Sequence, residues 1–227
     1  QPTTDELRKV AAAARVGGML AGKGGVVSVH VGAGERILQP LYQAVSGTEL
    51  RVKQFYPTHM NRNRRVFEAG IEFTKKGGVI DFTTSTTAYD LRHGEVAAAA
   101  ALAEALYLGV SPMQLTLSSD GNASLPLYNE DGELQGLQVG QVQSLYQSFR
   151  EAVVQHQVPL ANALTSVTAA PAAILGLKQK GQISAGLDAD VLLIRREDMQ
   201  LDTVIAKGRM LVQRGAALCR GTFEPEN

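Results

Sequence analysis

Four short strand-like runs, the first of them apolar and β-branched, each followed by a polar loop and a helix-like stretch, constrain this chain more than any other feature. Val26-Val27-Ser28-Val29 ends at His30, and Gln54 to Thr58 ends at His59. Val79 to Thr83 runs into Thr84-Ser85-Thr86-Thr87, and Gln114 to Leu117 runs into Ser118-Ser119-Asp120-Gly121. Between and around them lie helical patterns over Gln1 to Leu20, Phe67 to Lys76, Glu95 to Tyr107, Leu137 to Gln155 and Leu160 to Thr168. Thr3 and Glu6 make a capping box for the first helix, and Gly17-Gly18 reads as its stop. Alternating strand and helix predicts an α/β fold with parallel strands.

The strand ends fall near residues 30, 59, 83 and 119. A (β/α)8 TIM barrel of ~250 residues allots ~31 to each βα unit, close to this spacing. Four units make only the C-terminal half of such a barrel, and half a barrel leaves an open edge and an unfilled interior. We therefore expect residues 1–176 to be the second half of a barrel whose N-terminal half is missing from this sequence. The capped helix at Thr3, with no strand before it, favours that over a second chain supplying the rest. From residue 177 to 227 the pattern changes to short strands with Gly turns: Val191 to Ile194, Thr203 to Ala206 and Arg209 to Val212. This tail reads as part of a small β-sandwich. A hairpin-like insertion is marked by the turn residues Asn129-Glu130-Asp131-Gly132.

In parallel barrels the chemistry sits at the C-terminal ends of the strands. Three of the four strands here end in His30, His59 and Asp120, and two imidazoles with a carboxylate suit a borderline divalent ion such as zinc. Alone, a histidine after an apolar run is ordinarily a hydrogen-bonded core residue, and an Asp before Gly121 is ordinarily a turn former. Their coincidence at one structural position is what raises a metal site, and the pattern by itself leaves both readings standing. Arg62, three residues after His59, suits a substrate carboxylate, or is a solvated loop cation like Arg64 and Arg65 beside it. Ser124 is placed to contact substrate or to serve a turn. His93 and His156 lack a strand-end position and read as surface residues. Gly22 to Gly25 precedes a strand instead of opening a helix, so it is no phosphate loop.

Composition narrows the function further. Lys plus Arg and Asp plus Glu are 22 each, giving zero net charge, which argues against a nucleic-acid or anionic-membrane binder. The single Cys219 forms no intrachain disulfide and fits a reducing, cytoplasmic setting. No apolar run approaches the ~20 residues of a membrane span.

Two tail segments, Gly181-Gln182-Ile183-Ser184-Ala185-Gly186-Leu187-Asp188-Ala189-Asp190-Val191-Leu192-Leu193 and Val204-Ile205-Ala206-Lys207-Gly208-Arg209, resemble the closing strands of the amidohydrolase superfamily. Pro57-Thr58-His59-Met60-Asn61-Arg62-Asn63, Gly77-Gly78-Val79-Ile80-Asp81 and Leu117-Ser118-Ser119-Asp120-Gly121-Asn122 resemble its isoaspartyl dipeptidase family more closely. So do Arg15-Val16-Gly17-Gly18 and Gly221-Thr222-Phe223-Glu224. The resemblance implies zinc-dependent hydrolysis of β-aspartyl (isoaspartyl) dipeptides by a metalloprotease-like dipeptidase. In such enzymes two zinc ions share a hydroxide that attacks the side-chain-linked amide. It implies that His30 and His59 ligate one zinc, and that Asp120 ligates the other and carries the proton as general base and acid. Arg62 and Ser124 would bind the peptide substrate. The His-x-His pair, the bridging carboxylated lysine and the amino-group binders of that family are absent, and we expect them in the N-terminal half. A homo-oligomer is expected as well. Competing readings are a cyclic-amide hydrolase of the dihydroorotase or hydantoinase kind, disfavoured by the Arg62 loop, and a non-catalytic scaffold, disfavoured by retention of His30, His59 and Asp120.

Overall fold

The computed structural model describes residues 2–129 and 131–219. Gln1, Glu130 of the expected turn and the Gly221-Thr222-Phe223-Glu224 stretch lie outside the described residues. The chain divides into two compact units, Gln1–Leu177 and Lys178–Asn227.

Helix α1 (Thr4–Ala21) starts at the capping box: Glu6 N donates to Thr3 Oγ1 at 3.3 Å, and Thr3 N donates to Glu6 Oε2 at 2.7 Å. It does not stop at Gly17-Gly18 but runs to Ala21 and closes on Gly22 in the left-handed region. Gly18 serves packing instead, since a Cβ there would lie 2.4 Å from Gly25 Cα. At Gly24 a Cβ would lie 2.0 Å from the Ile174 carbonyl oxygen, and the Gly24 N–H donates to Leu175 O at 2.9 Å. The glycine cluster is thus a backbone-to-backbone joint between the α1 exit loop and the last helix of this unit. Gly24→Ala is expected to destabilise the protein by ~2–3 kcal/mol, because neither backbone has a flexible end to yield. Urea unfolding followed by circular dichroism measures this, and an unchanged midpoint would contradict the joint.

Four strands follow the expected order: β1 (Val27–His30), β2 (Phe55–Thr58), β3 (Ile80–Thr83) and β4 (Leu115–Ser118). β1 pairs in parallel with β2, placing His30 opposite Thr58, and β3 pairs in parallel with β4, placing Thr83 opposite Ser118. β2 and β3 lie side by side, joined where Met60 N donates to Asp81 O at 3.0 Å. Helices α2 (Gln39–Val45), α3 (Arg64–Lys75), α4 (Ala88–Arg92) and α5 (Ala98–Tyr107) fall between and after the strands. The fold is therefore mixed α/β with parallel pairing, as the alternation implied. Phe55, Phe67, Phe73, Phe82, Ile80 and Leu115 are wholly buried, and the Phe67 and Phe82 rings stack at 5.8 Å. Burial of such side chains is the main stabilising term of the unit.

After β4 the chain forms the antiparallel hairpin β5 (Ser124–Tyr128) and β6 (Leu134–Val139). Asn129 organises its turn: Glu133 N donates to Asn129 Oδ1 at 2.8 Å and Gly132 N to Asn129 O at 3.1 Å. The helix expected from Leu137 accordingly begins later, as α6 (Ser144–Val154). Leu137 and Val139 flank Gln138 with strand periodicity, and both are exposed. α7 (Leu160–Val167) and α8 (Ala169–Leu175) complete the unit. The composition of the short helices α2 and α4 gave too little periodicity to assign them.

The second unit is a four-stranded antiparallel sheet in the order β10-β9-β8-β7, built from β7 (Val191–Ile194), β8 (Leu201–Ala206), β9 (Arg209–Gln213) and β10 (Ala216–Ala217). Lys207 and Gly208 both take positive φ, the two-residue hairpin turn that suits the twist of its flanking strands. Lys180 pairs with Asp188 at 2.8 Å and with Asp190, whose Oδ1 accepts the Lys207 N–H at 2.7 Å. Among the described residues no helix is long and apolar enough to cross a membrane.

Candidate metal centre and substrate pocket

The Pro57–Asn63 run divides into distinct tasks. Pro57 and Thr58 end β2, and His59 then turns the backbone into the left-handed region at φ 63°. Asn61, fully buried, braces the loop: its Nδ2 donates to Thr83 O (3.0 Å) and Val96 O (2.8 Å), and its Oδ1 accepts from Thr83 N (2.9 Å). Asn63 caps α3 by accepting from Val66 N at 3.0 Å. Arg62 is left exposed between two tethered neighbours, with its N–H on His59 O at 3.1 Å.

The Ser118–Asn122 run is equally local in cause. Asp120 and Asn122 take φ values of 48° and 64°, where Asp and Asn are among the few side chains tolerated. Ser119 Oγ accepts from Gly121 N at 3.2 Å, and Asn122 N donates to Gly140 O at 2.9 Å. The residue that leaves the hairpin thereby holds the Asp120 turn in place.

His30, His59 and Asp120 converge: each presents a ligand atom within 4.8 Å of the others. His30 is exposed, Asp120 half-buried and His59 buried. His30 Nδ1 lies 2.9 Å from His59 Nε2, so one ring carries the proton between them. Burial, then the positive charge of Arg62, lowers the His59 pKa to about 4, while Asp120 opposes the shift. His59 is therefore neutral at pH 7, the form in which imidazole binds a metal. Its Nδ1 is buried without a hydrogen-bond partner, an unusual state for a buried polar atom. Two imidazoles and a carboxylate, with a buried nitrogen unserved by protein, fit a borderline divalent cation.

A pocket beside this cluster is lined by His59, Asp120, Arg62, Thr86, Glu95 and Leu125, among others. Arg62 thus shares a cavity with two of the three ligand-type residues. Ser124, exposed at the start of β5, is not among the lining residues, although Leu125 and Pro126 beyond it are. His93 is exposed, stacked on Tyr89 at 3.9 Å, and His156 is exposed. Glu95 was not singled out from sequence. Burial raises its pKa, and Thr86 Oγ1 donates to its Oε1 at 2.6 Å. The hydroxyl-rich run from Thr84 to Thr87 was the signal available for that wall.

Comparison with known proteins follows the same lines. The amidohydrolase family model matches residues 43–211. A β-aspartyl dipeptidase from Fervidobacterium islandicum AW-1, in complex with a β-Asp-Leu dipeptide, superposes with a TM-score of 0.84 and 37% identity. That match covers 99% of this chain and 57% of the other. A second structure of the dipeptidase from that organism matches with a TM-score of 0.81 and 35% identity, over 99% of this chain and 55% of its own. The chain thus spans little more than half the length of these relatives. An N-acetyl-D-glucosamine-6-phosphate deacetylase variant from Mycobacterium smegmatis shares the fold at 20% identity, with a TM-score of 0.54 over 94% of this chain and 62% of the other.

Proposed function

We propose, from the premise that this chain belongs to the amidohydrolase family, that it forms part of a metal-dependent dipeptidase cleaving β-aspartyl (isoaspartyl) dipeptides. The observation that carries this reading is the convergence of His30, His59 and Asp120 within 4.8 Å beside Arg62. The likeness to β-aspartyl dipeptidases supplies the substrate class. In this reading residues 1–176 are the second half of an eight-stranded barrel and 177–227 contribute to a β-sandwich. The remaining strands and metal ligands come from outside this stretch, in keeping with the chain's coverage of 57% of its relative.

His30 and His59 would hold one zinc ion and Asp120 a second, with the remaining ligands outside this stretch. Zinc held by these residues would supply Lewis acidity, polarising the amide carbonyl and lowering the pKa of water. Asp120 accepts the proton of the attacking water as the C–O bond forms, and hands it to the departing amine nitrogen as the C–N bond breaks. Arg62 holds a substrate carboxylate through two parallel N–H donors, and Ser124, next to the pocket residues Leu125 and Pro126, contacts the substrate.

The test uses the full-length protein with β-Asp-Leu and α-Asp-Leu side by side. Hydrolysis of the β-linked peptide alone, abolished by chelation and restored by zinc, is the expected result. Equal cleavage of both, or indifference to chelation, would overturn the reading. Arg62→Ala is expected to lower kcat/KM about 30-fold, or ~2 kcal/mol, with metal content kept. Unchanged kinetics would remove Arg62 from substrate binding.

A further inference from the structure

We propose that Asp81 is a positioning residue for the metal centre: its buried carboxylate ties the ends of β2 and β4 together and so fixes where His59 and Asp120 present their ligand atoms. The inference rests on the metal-centre reading above.

Asp81 lies inside β3 and is 1% exposed. Its Oδ2 accepts from Thr58 Oγ1 and from Ser118 Oγ, both at 2.5 Å. Its Oδ1 accepts from Thr116 Oγ1 at 2.6 Å, and that hydroxyl lies 2.5 Å from Tyr56 Oη. The Asp81 carbonyl accepts from Met60 N at 3.0 Å. Thr58 and Met60 flank His59, so side chain and backbone of one residue grip both neighbours of a ligand. Ser118 stands two residues before Asp120, so the same oxygen that holds the β2 end also holds the β4 end.

Two facts make this more than strand packing. A carboxylate is an expensive choice for a strand buried on all sides, where an apolar residue would fill the space without desolvation cost. The residues it steadies, His59 and Asp120, both sit in the left-handed region, a conformation that persists only where the surroundings hold it. Partners that orient ligands from behind usually govern metal affinity 10–100-fold.

The experiment is Asp81→Asn in the full-length protein loaded with cobalt(II). An amide keeps the size and loses one acceptor. Expected are a ~10–100-fold weaker metal affinity in chelator competition, altered visible cobalt bands, and a lower kcat with KM near that of the parent. Ile71→Val, a core change away from this network, serves as the control and is expected to keep the parent bands and affinity. Parent-like bands and affinity in Asp81→Asn, with only the melting temperature lowered, would overturn the proposal. Should Asp81→Asn fail to fold, Ser118→Ala removes one arm of the network and reads the same bands. His59→Ala separates the two claims: metal retained in that variant would overturn the metal-centre reading itself, whereas its loss with Asp81→Asn unaffected would overturn only the role of Asp81.

Discussion

Asp120→Asn is expected to lower kcat on a β-aspartyl dipeptide by about 10³-fold or more while leaving the unfolding transition close to that of the parent. The reasoning separates chemistry from fold. Asparagine has nearly the same shape and tolerates the φ of 48° that residue 120 adopts. The hairpin contacts behind it, such as Ala123 N on Asp120 O at 3.1 Å, involve only backbone. What disappears is a group able to take a proton from water and return it to nitrogen. Turnover measured alongside thermal unfolding decides the matter. A variant retaining a tenth of parental activity would exclude Asp120 as the proton carrier.

The second large effect is a pH dependence hidden in the parent and exposed by mutation. His59 has a pKa lowered from 6.5 to about 4 by burial and Arg62. The unfolded chain therefore takes up a proton before the folded one does, and the stability present above pH 6.5 is lost as pH falls toward 4. Asp81 runs the opposite way. Burial raises its carboxyl from 3.8 to about 6, against hydrogen bonds from Ser118, Thr116 and Thr58. The folded chain protonates first, so stability rises as pH falls from 6 toward 4. Each slope amounts to ~3 kcal/mol over its window. In the metal-free parent these two contributions oppose one another and largely cancel. Asp81→Asn should lose ~3 kcal/mol between pH 6.5 and 4, and His59→Asn should gain a comparable amount. Urea titrations at half-unit pH steps measure both, and flat profiles in both variants would contradict the assignment.

The four parallel strands were legible because each is a short strand-like run between polar loops, and the ends at His30 and Thr58 were read to the residue. Thr3 and Glu6 likewise announced their cap. The hairpin was legible from Asn129 and Gly132, but not its second strand, because Leu137 and Val139 belong equally to a helical stripe in one dimension. Gly17 and Gly18 misled for a related reason. A glycine that stops a helix and a glycine that lets another backbone approach are the same letter, and only Gly25 in three dimensions distinguishes them. In the candidate site the ligand-type residues stood out by chemistry, whereas Asp81 did not. Its meaning lies in the hydroxyls of Thr58, Thr116 and Ser118, which are 23 to 37 residues away along the chain.

The left-handed backbone at His59 and Asp120 also bears on how this protein would respond to engineering. At both positions glycine would relax the main chain, so a variant library selected only for heat resistance would be drawn toward His59→Gly and Asp120→Gly. Thermostability gained that way removes the two side chains on which the proposed chemistry depends. A selection scheme for this fold therefore has to score turnover in the same round as survival, or fix these two codons beforehand.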